Sequence, residues 1–193
     1  MWSTRPVRYS ALSICVAMLG GGAVNVCELF LVTRSLALPE LRLSLAWSVF
    51  GIATVGASMF ILTLSQRLSN TWPLVVAGLG GIGVCLLGMS LAPNFAWILF
   101  CNVIGGAGQA AMSIGGNSLI QAKVRKEFLT RVFGVAHPSA MAASLLGSWL
   151  GGMLADRVDV SLVFGGSAAI VLTASLLSYL LLSREKATGA LPI

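Results

Sequence analysis

The chain is divided into six long apolar stretches separated by short polar segments. A helix that crosses a membrane needs about 20 predominantly apolar residues. Each stretch is long enough, so the pattern predicts an all-α polytopic membrane protein with one transmembrane domain over residues 1–193. The predicted spans are Ala11–Val32, Leu43–Leu64, Pro73–Ala92, Phe95–Ile120, Val132–Leu154 and Ser161–Leu182.

The composition supports this interpretation, with 57% hydrophobic and only 9% charged residues. A soluble domain has about 25% charged residues. All four cysteines fall inside predicted spans and none forms a Cys-x-x-Cys motif, so neither a disulfide framework nor a metal site is expected. No cofactor is predicted.

The basic residues predict the orientation. With six spans, one side holds both termini and nine Lys and Arg residues, whereas the other side holds three. Cytoplasmic loops carry the excess of Lys and Arg, so both termini are predicted to be cytoplasmic, in a bacterial inner membrane. The net charge of +6 therefore reflects topology and contact with anionic lipid, and nucleic-acid binding is not expected.

A weak internal repeat divides the six helices into three plus three. Leu64–Leu68 follows the second predicted helix, and the similar Leu154–Val158 follows the fifth. Three helices per unit place two copies in opposite orientations, as in many transporters with inverted repeats. The predicted units cover roughly residues 10–92 and 95–183, and chance similarity is the alternative.

Glycines cluster in the first helix of each predicted unit. In membrane helices, glycines permit close packing or mark a bend at a binding site. The paired positions favour bending as a hypothesis, with close packing as the alternative. The glycines concerned are Gly20, Gly21 and Gly22 in the first helix and Gly105, Gly106 and Gly108 in the fourth.

Glu28 is the acidic residue that lies well within a predicted span. A charge in the bilayer costs at least ~2.5–3.5 kcal/mol, so such a residue is paired, protonated or exposed to water. One hypothesis is a carboxylate that couples transport to protons or recognises a cation. The other is a boundary residue that pairs with Arg34 or reaches the headgroups.

Further polar residues in the spans form a candidate path for substrate or ions. Asn102, Gln109 and Asn117 are spaced by seven and eight residues, which places them on one helical face. Asn25 lies one turn before Glu28. These side chains can line a path or form hydrogen bonds between helices. The single histidine, His137, can relay protons or serve a structural role.

Arg125, Lys126 and Arg131 belong to the densest charged segment between predicted spans. This segment acts as a topology determinant and is a candidate cytoplasmic latch that stabilises one access state. Trp47, near the start of the second helix, is a candidate interfacial anchor, because tryptophan is enriched at membrane–water interfaces.

The segment Asn117–Gly134 resembles the loop between the tenth and eleventh helices of major facilitator superfamily transporters, closest to the drug, macrolide and siderophore exporters. Thr130 stands where that loop usually has glycine. Gly147–Arg157 is similar to the end of the eleventh helix, and Gly56–Arg67 resembles a decayed copy of the loop after the eighth. The resemblance covers the chain as the second half of such a transporter.

The resemblance implies secondary active export of small molecules, with substrate, lipid and protons as partners. The family's working unit has twelve helices, so this six-helix half is expected to pair with a second half, either another copy or a separate chain. The alternative is an inactive fragment or a non-transporting scaffold.

Enzymatic activity is not expected. An intramembrane serine protease needs a Gly-x-Ser-Gly nucleophile motif, and Gly56–Met59 and Gly116–Leu119 both lack its last glycine. The chain has neither the Asn-Pro-Ala motif of a water channel nor a nucleotide-binding P-loop.

Overall fold

In the computed structural model, which describes residues 5–35, 39–67, 71–155 and 157–187, the described part of the chain is helical with short connections. Six long helices follow one another, and a π-helical segment, Leu31–Ser35, continues the first. Their bounds are α1 Arg5–Phe30, α2 Glu40–Arg67, α3 Trp72–Ser90, α4 Phe95–Lys123, α5 Lys126–Ala155 and α6 Val160–Ala187.

The helix ends follow from local sequence. Pro73 lies in the first turn of α3, where its missing N–H is not needed. Asn94 caps α4 by accepting a hydrogen bond from the backbone N–H of Trp97 at 2.9 Å. Pro138 lies inside α5, where neighbouring helices in a membrane bundle make a proline tolerable.

Within the described residues, α2, α3, α4 and α6 are long and apolar enough to cross a membrane, and Met18–Thr33, which runs from α1 into the π-helical segment, forms a shorter apolar segment. Helix α5, at 30 residues, has the required length. Its polar and small residues make it less apolar than those four, so the six spans are less uniform than the sequence pattern predicts.

The helices pack in an open series in the order α2, α4, α3, α6, α1, α5. If α1 is exchanged with α4, α2 with α5 and α3 with α6, the series is reversed and every helix keeps an equivalent pair of neighbours. The fold is therefore an all-α half-bundle built from two three-helix units, as the sequence predicts. The chain interleaves the units: α1, α5 and α6 form one packed group, and α2, α3 and α4 form the other.

The buried core lies around α3, α4 and α6. Its fully buried side chains include Leu79, Ile98 and Phe164. Helix α2 lies at one edge of the series, and only 6% of its apolar span is buried, compared with 50% in α4. Helix α5 lies at the opposite edge. The two edges thus carry large exposed apolar surfaces.

Candidate functional site: a buried glutamate between the two helix groups

Glu28 is buried where α1 faces α4 and α2, with 4% of its surface exposed. The side-chain amide of Asn102, itself 3% exposed, donates a hydrogen bond to Glu28 Oε1 at 2.9 Å. The side chain of Trp47 lies close to the Glu28 carboxyl group. These contacts place the carboxyl group inside the bundle. Arg34, the partner considered from the sequence, has a side chain outside the described residues.

Glu28 opens onto a cavity of about 130 Å³, here called the Glu28 cavity. Its walls come from α1, α2, α3 and α4, and the α3 side is apolar. The cavity combines one carboxyl group with amide and aromatic side chains. These side chains are Asn25, Gln109, Asn102, Trp47 and Phe50.

Sequence spacing indicates the amide residues of this cavity but not its aromatic ones. Asn102 and Gln109 lie on one face of α4, as predicted, and both line the Glu28 cavity. Trp47 lies beside Glu28 in this cavity, a position that the interfacial-anchor prediction did not include. Its distance of 19 positions from Glu28 along the chain gives no signal for this contact.

Asn117 lines a different cavity, which lies between α1, α4 and α5 and has a volume of about 340 Å³. Ser113, His137 and Ser144 contribute its other described polar groups, and methionine side chains contribute apolar surface. The polar face predicted on α4 therefore serves two cavities along its length.

The glycines of α1 and α4 lie mostly at close helix contacts. A Cβ atom at Gly22 would meet the backbone of Ser144 in α5. A Cβ atom at Gly106 would lie 2.6 Å from the carbonyl oxygen of Phe50 in α2. Both α1 and α4 run through their glycines as continuous α-helix, so their contacts support the packing alternative. Bending at these positions stays a prediction.

The remaining clustered glycines behave in the same way, with one exception. Gly20 approaches α6 at Val171, Gly105 approaches the Cys85 sulfur in α3, and Gly108 approaches the carbonyl oxygen of Gly78 in α3. A Cβ atom at Gly21 would meet nothing within 4 Å, because Gly21 borders the Glu28 cavity.

Arg125, Lys126 and Arg131 are exposed at the connection between α4 and α5. The guanidinium group of Arg125 lies 3.5 Å from the Glu127 carboxylate, and both side chains are largely exposed to solvent. Exposed pairs contribute little to stability. A latch role for this segment remains a prediction.

The fold and the buried polar site together define a multi-pass α-helical membrane protein with a polar cavity inside the bundle. Residues 10–192 match the family model described as Major Facilitator Superfamily. The chain therefore belongs to the major facilitator superfamily and is a membrane transporter of that type. A comparison of the chain with curated proteins gave no match.

Proposed function

We propose that this chain is one half of a secondary active exporter of small molecules of the drug, macrolide or siderophore kind. The proposed path for substrate or ions includes Glu28, Asn25, Asn102 and Gln109 around the Glu28 cavity, and Asn117 further along α4. The observation that carries the proposal is a buried carboxyl group that lines a cavity inside a transporter bundle.

Glu28 governs coupling in this proposal. An uncompensated charge at that depth is costly, so the carboxyl group is stable when it binds a proton or a cation. The amide of Asn102 can donate a hydrogen bond to the carboxylate and can also accept one from the protonated group after reorientation. The site can therefore stabilise the Glu28 carboxyl group both when it carries a proton and when it binds a cation.

A second six-helix half completes the transporter in this proposal. In transporters built from repeats, substrate binds near the membrane midplane between the moving units. Helices α2 and α5 at the two edges expose large apolar side chains such as Met59 and Leu145, which are suited to contact a second half or lipid. That half belongs to the same protein, a second copy or a separate chain.

From the basic residues, we propose that the protein lies in the inner membrane. Both described ends of the bundle are then on the cytoplasmic side. In this orientation, the exposed segment with Arg125, Lys126 and Arg131 faces the cytoplasm. The Glu28 cavity then lies towards the opposite membrane surface.

The test of coupling uses proteoliposomes that contain the full chain and a trapped pH-sensitive dye. A panel of a cationic dye, a neutral macrolide and an anionic siderophore is added under an imposed pH gradient. At least one compound is expected to move protons, and Glu28→Gln is expected to abolish that movement. The control is Asp159→Asn, which neutralises an exposed carboxylate outside the residues that line the cavity and outside the proposed latch.

Proton movement that persists in Glu28→Gln would show that Glu28 is not the coupling group. Absence of substrate-dependent flux from the parent protein, in a sample shown to be paired, would favour the scaffold alternative. Single-molecule subunit counting in the same bilayers reports the pairing. Flux from vesicles that contain only unpaired six-helix chains would contradict the need for a second half.

A further inference from the structure

We propose that the Glu28 cavity binds the ammonium head group of a cationic substrate. This inference rests on the proposed transport function and specifies the substrate class of the same site. The loop sequence resembles exporters of drugs, macrolides and siderophores. Among such substrates, the proposed site selects positively charged compounds and excludes anionic siderophores.

None of the described side chains that line the Glu28 cavity is basic, and those nearest the carboxyl group are neutral amides and an indole. Buried charges in proteins are paired, because leaving one unpaired costs several kcal/mol. Among the described residues, the ionised Glu28 carboxylate thus has a hydrogen bond from Asn102 but no countercharge in the cavity, and the cavity leaves space beside it for a cation.

Trp47 and Phe50 lie three positions apart on α2 and both line the cavity, next to Glu28. Aromatic faces attract cations, and they recognise quaternary ammonium groups in particular. A metal cation such as Ca²⁺ requires six to eight oxygen ligands. The apolar wall from α3, which includes Ile82 and Met89, provides none.

The cavity of about 130 Å³ is smaller than the roughly 300–1,000 Å³ of a pocket that encloses a drug-sized ligand. It fits a head group, and the rest of the molecule must extend out of it. Trp47 is 48% exposed at its edge, so the cavity has an open side on α2 through which a larger body can project.

The test measures binding of tritiated choline to the full chain in lipid nanodiscs, with any half that co-purifies retained. Unlabelled choline is expected to displace the label, whereas its uncharged carbon isostere, 3,3-dimethylbutan-1-ol, is not expected to do so at the same concentration. Trp47→Leu is expected to weaken binding about two- to fivefold, the range for a cation–π contact at a partly exposed aromatic ring. Trp149→Leu, which removes an exposed tryptophan of α5 outside the cavity, is the matched control.

Equal displacement by the isostere would overturn the proposal without any variant, because it would show that the positive charge is not recognised. Unchanged choline affinity in Trp47→Leu, with an unchanged thermal unfolding midpoint, would also overturn it. If Glu28→Gln folds, it is expected to lose choline binding, and retained binding would place the site elsewhere.

Failure of this inference and failure of the proposed function are distinguishable. Charge-selective choline binding without proton-coupled flux would support the cation site and contradict proton coupling. Proton-coupled flux of neutral or anionic compounds without choline binding would support the transporter and refute the ammonium site.

Discussion

Replacing Gly106 by alanine is expected to destabilise the contact between α4 and α2. A Cβ atom there would lie 2.6 Å from the carbonyl oxygen of Phe50 and 3.0 Å from the Cβ atom of Ala53. Because the first of these atoms belongs to a helix backbone, the helices must move apart. Overpacking of this kind costs typically 1–3 kcal/mol. The better helix propensity of alanine offsets roughly 0.5–1 kcal/mol of that cost.

The matched control is Gly21→Ala, because a Cβ atom at Gly21 has nothing within 4 Å. Gly21→Ala is expected to gain the propensity term alone, so the two variants should differ in unfolding free energy by about 1–3 kcal/mol. Unfolding by SDS, followed by far-ultraviolet circular dichroism, measures this difference. Equal stability of the two variants would refute the close-packing interpretation of Gly106 and would leave bending as its better explanation.

Three further outcomes are expected. A double-mutant cycle of Glu28→Ala and Asn102→Ala should give a coupling of about 0.6–1.7 kcal/mol in SDS unfolding, and a value near zero would show that their hydrogen bond contributes nothing. Ser148→Ala should lower stability by less than about 1 kcal/mol, since it removes one hydrogen bond to the carbonyl oxygen of Gly22; a larger loss would imply further contacts. Arg125→Cys should react with an impermeant thiol reagent only from the cytoplasmic side, and labelling from outside intact cells would reverse the proposed orientation.

The helices and the family were predictable from the sequence because they depend on local patterns. Apolar length alone identifies the helices, and the segment Asn117–Gly134 carries the family resemblance. The interleaving of the two units was not predictable in this way. It depends on which helix faces make the tightest contacts, such as Gly22 against α5 and Gly106 against α2.

The candidate site was predictable only in part. Glu28 and Asn102 are conspicuous as polar residues in apolar helices, but their hydrogen bond joins positions 74 residues apart, and no local pattern encodes it. Helical periodicity groups Asn117 with Asn102, yet it does not report where along the face one cavity ends and another begins. The position of Trp47 in the cavity was not predicted, because a tryptophan near a helix end is usually explained as an anchor at the membrane surface.

The interleaved packing also has a mechanical consequence. The group of α1, α5 and α6 meets the group of α2, α3 and α4 through the broad contact of α3 with α6. On the opposite side, α1 has few contacts with α4 and α2, and the hydrogen bond from Asn102 to Glu28 bridges that gap. The two helix groups are thus joined broadly on one side and narrowly on the other. A change in what the Glu28 carboxyl group binds therefore acts directly on the narrower contact between them.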